Sequence, residues 1–231
     1  MTRRLDEVLA NAGLGSRREL RGAVLTGHVS VNGTVVRKPD TRVEESDEIT
    51  LDGVKVDSER YIYLMMNKPC GYVSTTTGDD SLLVLVPDLW KRKDLFPVGR
   101  LDKDTSGLIL ITNDGAFAHK ITSPNREVKK IYVASLAKPA DENTVKAIGD
   151  GLILRDGLQT KPAEVVLSDG GKTATVTVSE GKYHEVRRMF AACGNYVESL
   201  KRIGIGALAL DLEEGKTRKL TKEEVRLFQE M

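Results

Sequence analysis

Four consecutive apolar residues, Leu108 to Ile111, constrain this chain more than any other stretch. The run is short and β-branched, as an interior strand is, and Asn113-Asp114-Gly115 closes it with turn chemistry. Ahead of it, the polar segment 99–104 carries Asp102 on a turn leading into the strand. A strand of this kind is a rigid base, and a loop before it leaves a carboxylate free to meet a substrate. Residue type and spacing by themselves favour a plain turn aspartate, since Asp is common in turns.

Helical spacing joins Leu5, Val8, Leu9 and Ala12, and Gly13 can end that helix. Ser16-Arg17-Arg18-Glu19 reads as a capping box opening a second helix, with Leu20, Ala23 and Val24 as its buried stripe and Gly27 as its stop. Arg17 and Arg21 then share an exposed face. HVSVNGTVV and EITLDGVKV each read as two short strands around an Asn-Gly or Asp-Gly turn. The polar segment 55–60 reads as a linker, dividing a small domain at 1–59 from a larger one at 60–231. In the larger part KIYVASL, AEVVLS and TATVTVS are β in character, and helical patterns fall near 116–121, 141–149, 184–193 and 222–229. Strands outnumber helices without strict βαβ alternation, so the expected class is α+β, with a mixed or antiparallel sheet.

At 231 residues and 40% hydrophobic, the chain has the composition of a globular protein and not of a disordered one. Its net charge of +1 does not announce a nucleic-acid binder. The distribution does more: residues 1–42 hold eight Arg or Lys against four Asp or Glu, whereas 43–60 hold two against seven. A basic face on a small module is the footprint of phosphate contacts, and a solvated surface is the competing explanation. Cys70 and Cys193 lie far apart without CxxC spacing, which suits a reducing cytoplasm, and both read as structural. No apolar signal core or membrane-length segment is present, so a cytoplasmic protein with no membrane contact is expected. His28, His119 and His184 are scattered, which argues against a metal site. The GxGxxA match at Gly204–Ala209 runs on as a strand and turn where a dinucleotide site needs a helix, and Glu214-Gly215-Lys216-Thr217 lacks the first glycine of a P-loop. No cofactor is expected.

GRLDKDTSGLILITNDG, from Gly99 to Gly115, resembles the catalytic signature of the pseudouridine synthases, specifically the branch that modifies bacterial ribosomal RNA. NKPCGYVST from Asn67, KKIYVASL from Lys129 and EGKYHEVRRMFAACGN from Glu180 are similar to that family in the same order. The first sixty residues resemble its S4 RNA-binding module. The resemblance implies a small αα-β module followed by a long mixed sheet with a central cleft and flanking helices. It also implies that Asp102 is the essential carboxylate, that Tyr132 stacks on uracil as the proton-transfer group near C5, and that Arg187 pairs with Asp102 and orients it. On residue pattern alone, Tyr132 fits a sheet core and Arg187 the edge of an apolar helix arc formed by Val186, Met189, Phe190 and Cys193.

Leu200 matches the apolar floor of the uracil pocket, although a core leucine looks the same. Arg100 fits as a substrate-binding group that fills the gap left by a flipped nucleotide or grips a phosphate, and Lys68 as one that supports the active loop. Either can equally be a solvent-facing charge. Arg17, Arg18, Arg21 and Arg188 are the candidate RNA contacts. KYHEVRRMFAACGN and HKITSPNREVKKIY are similar to the small-subunit branch, so the expected partner is 16S rRNA or a small-subunit assembly intermediate, met by a monomer. A 23S rRNA enzyme and a non-catalytic S4-type RNA-binding or ribosome-assembly protein are the alternatives.

Overall fold

In the computed structural model, which describes residues 2–91 and 94–230, the chain forms two compact units. The first comprises Met1–Ile62 and Pro87–Leu95, and the second Tyr63–Val86 and Phe96–Met231. The return of 87–95 to the first unit has no sequence signal, because a short excursion leaves no periodicity behind.

The first unit runs β1 (Arg3–Arg4), α1 (Leu5–Asn11), α2 (Arg17–Thr26), β2 (Val29–Val31), β3 (Thr34–Val35), β4 (Arg42–Val43), β5 (Ile49–Leu51) and β6 (Val54–Lys55). Helix α2 starts where the sequence places it: the Ser16 hydroxyl accepts from the Glu19 amide and the Glu19 side chain accepts from the Ser16 amide. Such a box is worth about 1 kcal/mol. Gly27 ends the helix at φ 88°. Both hairpin turns take the left-handed conformation at two successive residues, Asn32-Gly33 and Asp52-Gly53, which is why those dipeptides stand there. Leu5, Val8 and Leu9 of α1 and Leu20 and Val24 of α2 close over Val29, Val43, Ile49 and Val56. Val56 thus belongs to this core, and the segment read as a linker begins as packed structure.

The second unit contains β7 (Tyr63–Lys68), β8 (Phe96–Val98), β9 (Thr105–Thr112), α3 (Gly115–Thr122), β10 (Lys130–Leu136), α4 (Glu142–Asp150), β11 (Glu164–Ser168), β12 (Thr173–Val178), α5 (Glu185–Ala192), β13 (Val197–Ile205), β14 (Leu208–Ala209), β15 (Thr217–Lys219) and α6 (Lys222–Gln229). They build a mixed nine-stranded sheet in the order β11-β12-β10-β13-β9-β7-β15, with β14 on β13 and β8 on β9. This is the α+β class expected. Leu108 to Ile111 are buried throughout, as an interior strand requires. Asp114, read as turn chemistry, caps α3 by accepting from the Ala116 and Phe117 amides. The Gly204–Ala209 segment is the β13–β14 hairpin, with no helix at its end.

One seam decides where the site lies. Among the described strands β9 and β13 pair in parallel, through Thr105, Ser106 and Gly107 against Leu200, Lys201 and Arg202, whereas the others pair antiparallel. Beyond Gly107 the strands part, and β8 takes the freed edge of β9 at Leu110 to Thr112. A register shift in β13 opposite Ile131/Tyr132 bends it away at the same level. Two apolar cores result. One packs α4 and α5 on β10–β13, the other α3 and α6 on β7–β9.

Candidate active site

The parting of β9 and β13 opens a cavity of ≈ 460 Å³, lined by side chains from both cores, among them Val98 and Ile205 on one side and Val178 and Leu200 on the other. That volume suits a single small-molecule moiety. Asp102, Tyr132, Leu200 and Arg100 all line it. A wider groove of ≈ 620 Å³ shares Arg100, Leu101, Asp102, Tyr183 and His184 with the cavity, so Asp102 stands where the two meet.

Asp102 is held by its main chain. Its carbonyl accepts from the Thr105 amide at 3.1 Å, and the neighbouring Leu101 is tied to the Ser74 hydroxyl through both its amide and its carbonyl. The carboxylate, 28% exposed, has His184 Nε2 3.3 Å from its Oδ1. His184 takes φ 50° at the entrance to α5, an uncommon conformation for a side-chain-bearing residue and one that turns the imidazole back toward Asp102. Tyr183, largely exposed, stacks on the His184 ring at 3.8 Å.

Two sequence expectations need correction. Arg187 sits at the edge of the buried arc of α5, as predicted, but it does not pair with Asp102. Its Nη2 meets the Asp104 carboxylate at 2.9 Å and carbonyl at 3.2 Å, and its Nη1 donates to the Val197 carbonyl at 2.7 Å. The guanidinium binds the Asp104 end of the turn, whereas Asp102 lines the cavity, so Arg187 holds the loop. Lys68 is neither solvent-facing nor part of the cavity wall. It is fully buried, and its Nζ donates to the Pro69 and Tyr72 carbonyls at 3.0 and 2.9 Å, bracing the loop that follows β7. Burial pushes its ammonium below the usual lysine range, against the pull of Cys70, Asp102 and Asp104.

The surface candidates divide. Arg100 is exposed at the rim shared by cavity and groove. Arg188 is drawn into an ion pair with Asp156 and donates to the Tyr183 carbonyl, which takes it out of the set of free cations. In the first unit Arg17 and Arg18 are exposed, while Arg21, also exposed, lies 3.6 Å from the Asp6 carboxylate. Cys193 is half-buried against the apolar core, as read, but Cys70 is exposed and lines the groove.

Sequence reading missed three groups of the cavity wall. Arg202 is buried, its Nε donating at 2.7 Å to the Leu108 carbonyl that the departing β13 leaves unpaired, and its Nη1 lies 3.5 Å from the Tyr132 hydroxyl. Glu185 and Thr105 are buried beside it. Thr105 and Glu185 lie inside the quoted motifs, but nothing in those motifs marks them as facing the cavity, and Arg202 lies outside them. The signal available was Glu185, a charged residue on the apolar arc of α5. Among the described residues no group of three His, Cys, Asp or Glu side chains is placed to hold a metal ion. No described helix is long and apolar enough to cross a membrane.

Residues 62–192 match the family model of RNA pseudouridylate synthases, and residues 3–49 match the S4 domain. The chain is 40% identical to the ribosomal small subunit pseudouridine synthase A of Haemophilus influenzae, covering 96% of this chain and 97% of that protein. It is 39% identical to the ribosomal large subunit pseudouridine synthase B of Bacillus subtilis, with 96% and 94% covered. A crystal structure of a pseudouridylate synthase superposes with a TM-score of 0.69 at 38% identity over 97% of this chain and 99% of that one.

Proposed function

Since the chain belongs to the RNA pseudouridine synthases, with an S4 domain at its N-terminus, we propose that it isomerises a single uridine of bacterial 16S rRNA, as a monomer, with Asp102 as the essential carboxylate. The observation that carries this reading is the placement of Asp102 on the cavity wall with Tyr132 and Leu200. The reaction breaks the bond from N1 to C1′, turns the base, joins C5 to C1′ and returns the C5 proton to solvent. It needs a carboxylate able to act as nucleophile at C1′ or C6, or as base at C2′. All three routes need Asp102 within reach of the flipped nucleotide, and its place on the cavity wall supports them.

The target uridine must leave its stack, at a cost of about a few kcal/mol, to enter the cavity. Tyr132 and Leu200 then cover the faces of the ring, and Tyr132 is the group to move the proton at C5. Arg100, at the rim, faces the backbone of the flipped nucleotide. The small-subunit target is favoured by similarity to the Haemophilus protein and by the segments around Lys182 and His119. The near-equal similarity to the Bacillus large-subunit protein supplies the second reading, a 23S site.

Mapping new pseudouridines after incubation with 16S and 23S transcripts, bare and protein-bound, distinguishes them. One new site in 16S is expected. Modification confined to 23S moves the target to the large subunit, and none on either RNA makes the chain a binding or assembly protein. The double change Arg17→Ala and Arg21→Ala in the S4 domain should weaken rRNA binding and reduce the slope of log affinity against log salt by roughly 1–2. Filter binding across a salt series measures this, and an unchanged slope would remove these residues from the interface.

A further inference from the structure

Three buried side chains on the cavity wall carry polar atoms with no hydrogen-bond partner: Thr105 Oγ1, Arg202 Nη2 and both carboxyl oxygens of Glu185. Thr105 is 1% exposed, Arg202 4% and Glu185 5%. A buried polar group left unsatisfied is costly, and one structure rarely gathers several around the same space without a ligand to satisfy them. They come from three elements, β9, β13 and the start of α5, and line the same cavity.

Resting on the uridine reading above, we propose that Glu185, with Arg202 and Thr105, forms the receptor for the hydrogen-bonding edge of the flipped uracil. That edge presents a carbonyl, an N3–H and a second carbonyl, so its receptor must offer donor, acceptor and donor. Arg202 Nη2 supplies a donor to one carbonyl. A neutral Glu185 carboxyl accepts from N3–H through its carbonyl oxygen and donates its O–H to the other uracil carbonyl, and the Thr105 hydroxyl serves whichever position remains. A cytosine, with an acceptor at N3 and an amino group at C4, meets two mismatches against that pattern.

The surroundings keep Glu185 neutral. Burial, then the facing Glu180 carboxylate, push its carboxyl up to about 8. Burial drives Glu180 upward, but the Lys161 amide at 2.8 Å and the Lys182 ammonium at 3.0 Å stabilise its charged form and hold it low, so the pair's negative charge rests there. The other charged and titratable groups on this wall are Lys130 and Tyr132 from β10, Arg202 from β13, and Arg100, Asp102, Lys182, Tyr183 and His184 from the loops. Lys130 is pushed down by burial and then by Arg202, while Glu185 opposes.

The test compares wild type, Glu185→Gln and Glu185→Leu in the full chain, with initial rates of pseudouridine formation on the rRNA transcript from about pH 6 to about pH 9.5. Wild-type kcat/KM should fall above about pH 8 as the O–H donor is lost. Glutamine keeps an acceptor and a donor and cannot ionise, so its alkaline limb should disappear while kcat/KM drops by only about 2- to 5-fold. Leucine should cost about 10- to 100-fold at every pH, mostly in KM. A glutamine variant with the wild-type alkaline limb, or a leucine variant at the wild-type rate, overturns the assignment. Absence of pseudouridine from the wild-type reaction overturns the uridine reading beneath it.

Discussion

Asp102→Asn is expected to abolish pseudouridine formation, by about 10³-fold or more, while rRNA binding and thermal stability stay near those of the wild type. The size follows from what asparagine lacks. Its amide keeps the shape of the carboxylate but can neither attack carbon nor remove a proton, and loss of an essential nucleophile or base costs this much in characterised enzymes. The conserved fold follows from exposure: at 28% exposed, Asp102 is not a buried charge, and its main-chain contact with Thr105 does not involve the side chain. A change of within about 0.5 kcal/mol is the usual outcome at such a position. Primer-extension mapping and a melting curve on the same preparation check both halves, and a variant that still forms pseudouridine would remove Asp102 from the chemistry.

Gly107→Ala is expected to destabilise the second unit by about 4 kcal/mol or more, or to prevent its folding. Gly107 has φ 107°, where a side chain is strained by itself, and a Cβ there would lie within 2.2 Å of the Arg202 carbonyl oxygen and 2.6 Å of its amide nitrogen. Those atoms are backbone held in the sheet, so they cannot rotate aside. The clash falls on the last pair of the parallel β9–β13 ladder, the junction that places Leu200 and Arg202 across from Asp102. Denaturant unfolding against wild type measures the loss. A variant of wild-type stability would show that the seam can widen by an ångström or more, and the pairing would no longer explain where the cavity lies.

Much of the local architecture was legible in the chain. The Ser16-Glu19 box, the Asn32-Gly33 and Asp52-Gly53 turns, the interior strand at 108–111 and four of the later helices are set by residues within one turn of each other, and all stand where the pattern puts them. Asp102, Tyr132, Leu200 and Arg100 also meet at one cavity, although their roles there came from resemblance and not from spacing. Where the reading went astray, the partner was distant in sequence or on an unexpected side. Arg187 turned to Asp104, two residues beyond its expected partner, while His184 at the start of the same helix lies beside Asp102. Lys68 was buried by a strand neighbour pattern that gives no hint of which loop carbonyls its ammonium would meet.

By itself the sequence determined the local elements, the α+β class and the resemblance to the family, since helix caps, turn dipeptides and apolar runs act over a few residues. Only the tertiary structure decided that β13 would lie parallel to β9 for three residues and then part from it. That parting sends Arg202 to a carbonyl ninety-four residues away and gathers buried atoms of Glu185, Thr105 and Arg202 that lack hydrogen-bond partners around one cavity. Which backbone groups lose their partners at such a seam depends on long-range pairing, and side chains then fill positions that no local pattern specifies.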